Sequence, residues 1–330
     1  MHHFFVQSST TEIAALWAIE VQRLKSHEIQ MVTLRGYKPI SDYPVVEPEQ
    51  QWTRSKYWQK FAKQERLQHI TNTLRLKAED HVYTPQCNLP FIKIIHRSMP
   101  KISINLIEEG TANYIYKMDQ PPYRNAFRMK RNDISTALIK LLFGKNILHK
   151  FGPGCFFPSY ISSAFLLDER ANTDFPSEQR IVADYKSFCT KIAPKQQSTR
   201  IAISVLVLDP LPLDTDEKIT TLNKLISYAN HEKSSHSRLI IKPHPRDDIA
   251  KVSAMIKKLG FEFQVSVSPI ELLNASDDIT ELFVRLSSTA LYAALLGIPI
   301  RLIATQTNHK TLIQKKIEKL VSTVSTTSPT

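Results

Sequence analysis

Ile102-Ser103-Ile104-Asn105-Leu106-Ile107-Glu108-Glu109-Gly110 and Leu239-Ile240-Ile241-Lys242-Pro243-His244-Pro245 are the two stretches on which the fold turns. Each begins as an apolar run of strand length, the pattern of a buried strand. Each then delivers ionisable side chains just past the strand's carboxyl end. In open α/β sheets that edge is where ligands bind. A carboxylate that takes a proton and an imidazole that gives one are the pair a group-transfer reaction uses.

Outward from these runs the same alternation repeats. His3 to Val6 reads as a short buried strand, and Ser8, Ser9 and Thr10 offer caps to a following helix with Ile13, Ala14, Leu16, Trp17, Ile19 and Val21 on its apolar face. Met31 to Leu34 reads as a second strand, Gln51 to Lys77 as helical, and Phe91 to His96 and Lys101 to Ile107 as further strands. Asp133 to Leu142 reads as a helix. The polar, mixed stretch from Asp168 to Gln197 is taken as the connection between two halves. Beyond it, strands at Ile201–Leu208, Leu239–Lys242, Phe261–Val267, Leu282–Leu286 and Ile298–Ile303 alternate with helices at Asp216–Asn230, Ile249–Lys258, Pro269–Ala275 and Ser287–Leu296. Strand–helix alternation of this kind argues parallel sheets covered on both faces. The expectation is two doubly wound α/β domains, residues 1–190 and 191–330.

The chain has 330 residues, is 42% hydrophobic and carries a formal charge of +12 with a pI near 9.5. That charge suits either plain solubility or an anionic partner such as a nucleic acid, a membrane leaflet or a polyanionic glycan. Cys87, Cys155 and Cys189 are widely spaced, which favours neither a disulfide framework nor a zinc site and points to a reducing compartment. With no apolar run of spanning length and no secretory signal at the start, a cytoplasmic protein is expected.

Glu108 and Glu109 are adjacent on a strand, so their side chains leave in opposite directions. One of them entering a cleft would be able to deprotonate a hydroxyl; a polar turn is the alternative. Pro243 and Pro245 stiffen the backbone around His244, with Lys242 adding positive charge. That reads either as an oriented acid or as a stiffened strand exit. Ser287-Ser288-Thr289 lies between a strand and a helix, where hydroxyls and free N–H groups make an anion site or a simple cap. Glu271 opens a short helix. A basic nucleic-acid binder stays open on charge alone, though no module of that kind is recognisable.

The ordered trio Glu108-Glu109-Gly110, His244-Pro245 and Ser288-Thr289 resembles the bacterial sialyltransferases of GT-B fold, including the polysialyltransferase and lipooligosaccharide sialyltransferase families. The run from Ile104 to Tyr114 looks especially like theirs. The resemblance implies two Rossmann-like domains facing a cleft, an acceptor domain followed by a CMP-sugar donor domain. It implies inverting transfer of sialic acid from CMP-sialic acid to a bacterial surface glycan, with no required metal or other cofactor. Glu108 would be the general base, with Glu109 the alternative. His244, oriented by Pro245, would bind or protonate the phosphate of departing CMP. Ser288 and Thr289 would hold that phosphate at the segment Ser287 opens, and Lys242 and Glu271 would hold the cytidine. The family often has a glycine-containing segment where Leu208-Asp209-Pro210-Leu211-Pro212 stands here, and another nucleotide-activated sugar is the alternative donor. Lys117, Arg124, Arg128, Lys130 and Arg131 would then attract an anionic or lipid-linked acceptor, or the inner face of the cytoplasmic membrane.

Overall fold

The computed structural model describes residues 1–86, 89–110, 160–171, 175–192, 202–208, 216–244, 247–258, 264–265, 279–284, 289–303, 319 and 321–322. It divides into two units, Met1–Ala183 and Asp184–Thr330.

The first unit is built on a seven-stranded sheet: β1 (His2–Val6), β2 (Ile29–Thr33), β3 (Val45–Val46), β4 (His81–Thr84), β5 (Ser103–Ile107), β6 (Ile161–Leu166) and β7 (Arg180–Val182), in spatial order β3-β2-β1-β4-β5-β6-β7. Every neighbouring pair is parallel. The inner strands β1, β2, β4 and β5 are buried along nearly their whole length because helices cover both faces. On one side lies α1 (Ser9–Gln22), against β1, β5 and β6. Ser8 caps α1 by accepting from the Thr11 N–H at 3.3 Å, and Thr11 Oγ1 reaches back to the Ser8 N–H at 2.9 Å. The other face carries α2 (Ser55–Trp58), α3 (Lys63–Leu74) and α4 (Pro90–Ser98), whose Trp58, Ile70, Leu74, Phe91, Ile92 and Ile95 join one core with Phe5, Val82 and Leu106. Each such side chain withdrawn from water stabilises by about 1.5–3 kcal/mol before entropy is counted.

Three expectations need correction. Phe91–His96 is not a strand but the body of α4: a short apolar run fits either period, and Pro90 at the first helical position pre-sets the helix. Phe91, Ile92 and Ile95 are buried, at helical spacing, with Arg97 exposed. Gln51–Lys77 is not one helix but a 3-10 turn (Gln50–Thr53) followed by α2 and α3. The supposed connection also contains β7, too short to stand out by pattern, and α5 (Tyr185–Ile192).

The second unit has a five-stranded parallel sheet: β8 (Ile203–Val207), β9 (Arg238–Lys242), β10 (Gln264–Val265), β11 (Ile279–Val284) and β12 (Ile300–Leu302), in order β10-β9-β8-β11-β12. With it go α6 (Asp216–Glu232), α7 (Ile249–Lys258) and α8 (Thr289–Leu295). Ala290 to Ala294 are all buried, so α8 is a core helix rather than an amphipathic surface one. A register irregularity between Ile279 and Glu281 brings the buried Glu281 carboxylate to Ser204 Oγ (2.9 Å), the Ser234 N–H (3.0 Å) and Arg301 Nε (2.8 Å). Two neutral donors and a cation around one buried acid would be costly to break, and here they lock β8, β11 and β12 in register.

Both sheets run outward in opposite directions from a central pair, β1 and β4 in one, β8 and β11 in the other. That reversal of strand order is the topological switch point, where the carboxyl ends of the strands part and a ligand enters.

Candidate active site

The carboxyl ends of β1, β4 and β5 bring one residue each to the first switch point: Gln7, Gln86 and Glu109. Gln7 Nε2 donates to Glu109 Oε1 at 2.6 Å, and Gln86 Nε2 donates to the same oxygen. Glu109 is half-buried. Burial pushes its carboxyl above the usual carboxylate range; the Gln86 amide, the charge of Arg35 and the Gln7 amide pull it back only in part. A carboxyl so raised is nearer the pH at which a general base works best. Gly110 follows with φ 149, a backbone region a side chain would strain.

Glu108 is different. It is 0% exposed, and its Oε2 accepts the Leu167 N–H at 2.7 Å while its own N–H donates to the Phe165 carbonyl at 3.1 Å. It ties the end of β5 to the end of β6. Strand alternation predicts that adjacent acids diverge; the tertiary packing decides that Glu108 is the inward one.

The supports around Glu109 carry no motif. Gln7 Oε1 is buried and has no partner among the described residues. Gln7 N–H is held by Thr11 Oγ1 at 2.8 Å. After β2, Leu34 to Tyr37 form a tight turn: the Tyr37 N–H donates to the Leu34 carbonyl at 3.2 Å, and both central residues, Arg35 (φ 59) and Gly36 (φ 72), are left-handed. This is the type I′ form, which favours Asn or Gly at its first central position; an arginine there costs of order 1 kcal/mol. Glu12, 1% exposed in the first turn of α1, holds the segment beyond: it accepts from Tyr37 Oη (2.7 Å), the Ile40 N–H (2.8 Å), the Ser41 N–H (2.8 Å) and Ser41 Oγ (2.7 Å). Gln7, Gln86, Arg35 and Glu12 were not singled out from sequence. The signal that finds the first three is position alone, within two residues of a parallel strand's carboxyl end.

In the second unit, Lys242 ends β9, 8% exposed, and its carbonyl accepts the Leu208 N–H at 2.9 Å beside the second switch point. His244 is half-buried. Its N–H donates to Asp247 Oδ2 at 3.2 Å and its carbonyl accepts the Asp247 N–H at 2.9 Å, closing a turn just past β9. Thr289 is the first residue of α8 and half-buried. Pro245, Glu271, Ser287 and Ser288 lie outside the described residues, as do Lys117, Arg124, Arg128, Lys130 and Arg131 and the helix expected at Asp133–Leu142. Cys189 is buried and forms no disulfide among the described residues. Among the described residues no group of three or more His, Cys, Asp or Glu side chains is placed to hold a metal. The sequence does contain one Asp-x-Asp triplet, Asp214-Thr215-Asp216, a spacing able to bind a divalent cation. Its last residue opens α6 and the other two lie outside the described residues. No described helix is long and apolar enough to cross a membrane.

Among solved structures, a Listeria monocytogenes protein assigned as a UDP-N-acetylglucosamine 2-epimerase aligns over 96% of this chain and 81% of its own, at TM-score 0.52 and 9% identity. That likeness shows the fold, the two-Rossmann GT-B class, and nothing of the substrate. A UDP-GlcNAc 2-epimerase from Neisseria meningitidis bound to UDP-GlcNAc aligns over 99% of this chain and 90% of its own at TM-score 0.47 and 10% identity. The wall teichoic acid polymerase TagF aligns over 93% and 70% at TM-score 0.44 and 8% identity. No curated protein matches in sequence. A family model, alpha-2,8-polysialyltransferase (POLYST), matches residues 46–300, well over half the chain and inclusive of the Glu108-Glu109-Gly110, His244-Pro245 and Ser288-Thr289 segments. A GT-B fold whose motifs fall in that order within so long a match is a glycosyltransferase of the sialyltransferase kind, and the chain belongs to the alpha-2,8-polysialyltransferase family.

Proposed function

We propose that this protein transfers sialic acid from CMP-sialic acid to a hydroxyl of an anionic bacterial surface glycan, with inversion, and that Glu109 rather than Glu108 is the general base. The observation that carries the assignment is the contrast between the two acids. A base must come within hydrogen-bond reach of the proton it takes. Glu108 is fully buried and holds a main-chain amide of β6's exit, whereas Glu109 stands at the switch point, part-exposed, raised in pKa and oriented by two amides.

In the reaction the acceptor oxygen attacks the anomeric carbon of the donor sugar. The bond from that carbon to the phosphate oxygen of CMP breaks, the acceptor proton passes to Glu109, and the electron pair leaves with CMP. His244, fixed by its turn with Asp247, stabilises or protonates the departing phosphate. Thr289 at the start of α8, with Ser287 and Ser288 before it, binds that phosphate, where a helix N-terminus favours anions. Lys242 and Glu271 hold the cytidine. The charge of +12 supports a polyanionic acceptor and peripheral attachment to the inner face of the cytoplasmic membrane.

The test is incubation of the purified protein with CMP-sialic acid and a panel of galactosides, oligosialic acids and lipid-linked glycans, reading CMP release and product. Transfer by the wild type, reduced by orders of magnitude in Glu109→Gln and His244→Ala, is the expected result. No CMP release with any acceptor, or transfer only from another nucleotide sugar, overturns the reading.

A further inference from the structure

Beside Glu109 stands a positive charge that this mechanism leaves unused. Arg35 is exposed, and among the described residues its guanidinium has neither a hydrogen-bond nor an ion-pair partner. Among the described residues two other non-glycine residues have left-handed backbone, Arg23 (φ 54) and Arg75 (φ 55), and both end helices, α1 and α3, where that conformation is routine. Arg35 ends no helix. It occupies the centre of a two-residue turn at the exit of β2, where glycine or asparagine would sit without strain. Glu12 clamps the chain that follows through Tyr37, Ile40 and Ser41, and the Leu34 N–H donates to the Val6 carbonyl at 2.8 Å, so the turn is anchored next to Gln7. A strained backbone that presents an unpaired guanidinium at the mouth of a switch point is a feature that asks for an anionic ligand.

We infer that Arg35 is the acceptor-reading residue: it takes a carboxylate of an acidic oligosaccharide and so sets that acceptor's hydroxyl beside Glu109. The inference rests on the proposed transferase reaction for the role of Glu109. The planar guanidinium matches a carboxylate with two parallel hydrogen bonds, which a lysine cannot do. It also has an electrostatic consequence. Unpaired, Arg35 weakens Glu109 as a base by favouring its charged form. Once a substrate carboxylate neutralises Arg35, that restraint is lifted and Glu109 becomes the stronger base. Acidic acceptors thereby switch on the base that attacks through them; neutral ones do not.

The experiment compares wild type, Arg35→Gly and the matched control Arg75→Gly in the full chain. Glycine suits both positions, so each variant removes an arginine and relieves backbone strain at once. Equilibrium binding is measured, without donor, for a short oligosialic acid and for a neutral galacto-oligosaccharide of equal length. The expected result is binding of the acidic chain weakened about 10- to 100-fold in Arg35→Gly, a far smaller change for the neutral chain, and neither change in Arg75→Gly. In transfer assays the acid limb of the rate profile should lie at higher pH for acidic than for neutral acceptors in the wild type, and the two should coincide in Arg35→Gly. Unaltered acidic binding in Arg35→Gly, equal losses for both sugars, the same loss in Arg75→Gly, or an effect confined to the KM for CMP-sialic acid would overturn the assignment. Because the binding arm needs no turnover, a protein that bound acidic glycan through Arg35 yet transferred no sialic acid would sink the proposed reaction alone.

Discussion

The two edges of the seven-stranded sheet carry ionisable clusters of opposite character. At the amino edge, Asp80 accepts from the Met1 amine (2.9 Å) and the Lys77 N–H (2.7 Å) and pairs with His3 Nε2 (3.2 Å). His3 Nδ1 pairs with Gln30 Oε1 at 2.9 Å, and His2 stacks on His81 and contacts Tyr83 Oη at 3.0 Å. Every one of these groups has a partner there. At the carboxyl edge, Glu109 is held by two neutral amides, Gln7 Oε1 lacks a described partner, and Arg35 has none. Among the described residues the amino edge is polar and compensated, whereas at the carboxyl edge Gln7 Oε1 and the Arg35 guanidinium are left without a hydrogen-bond or ion-pair partner. A compensated cluster stabilises; one left short stores the electrostatic imbalance that substrate binding can relieve.

The sharpest way to break this contrast is to swap the two acids. Glu109→Gln should lower kcat by roughly 10²–10⁴ with the melting temperature nearly unchanged, while Glu108→Gln, whose amide oxygen can still accept the Leu167 N–H, should keep the rate within about tenfold. Equal losses in both variants would return the base to an open question. Next in size is Asp80→Ala, which strands the His3 ring and the Lys77 N–H; about 2 kcal/mol of stability should be lost with turnover of the surviving folded protein intact. Urea titration with parallel rate measurement checks both halves, and a lost rate in folded protein would show the edges to be coupled.

The pH response should also separate the edges, with opposite signs. Burial, the His81 and Met1 charges lower the His2 pKa from 6.5 to about 4, and burial likewise lowers His3. Unfolding therefore takes up protons below the ordinary histidine value, so stability falls as pH drops from about 6.5 towards 4. Asp80 adds to this further down: burial alone would raise it, but the Lys77 N–H, the Met1 amine and His3 outweigh that and hold it low, so its contribution is lost as pH falls through its folded value. Glu109 runs the other way, because a raised folded pKa means the native state holds the proton longer and gains stability as pH falls through it. With Glu109 as the proposed base, activity should fade on acidification before the fold does. Circular dichroism and initial rates across the same pH series test this; unfolding that precedes the loss of rate would refute it. The smallest effect is local to the carboxyl edge: Ser8→Ala removes the α1 cap and should cost about 1 kcal/mol, measured as a shift in the urea midpoint, with a slight loss of rate through Gln7.

Much of the fold was legible in the chain. The apolar runs read at His3–Val6, Lys101–Ile107, Ile201–Leu208 and Leu239–Lys242 contain the strands β1, β5, β8 and β9, because uninterrupted apolar stretches between caps and turns have few other uses in an α/β protein. Ser8 was readable as a cap for the same local reason. Phe91–His96 was misread because six residues do not separate a period of two from one of 3.6, and β7 was missed because three residues hold no period at all.

The candidate site was legible only in part. Residue identity and order placed acids at the end of β5 and a proline-flanked histidine at the end of β9, since those are properties of single segments. Which acid is buried, and that Gln7 and Gln86 converge on the other, are not. They follow from strand order: β1 lies beside β4, and β4 beside β5, so residues far apart in sequence meet at one edge. Chemistry carried by one strand end can be read from sequence, whereas the tuning of that chemistry comes from neighbours that only the packed sheet selects.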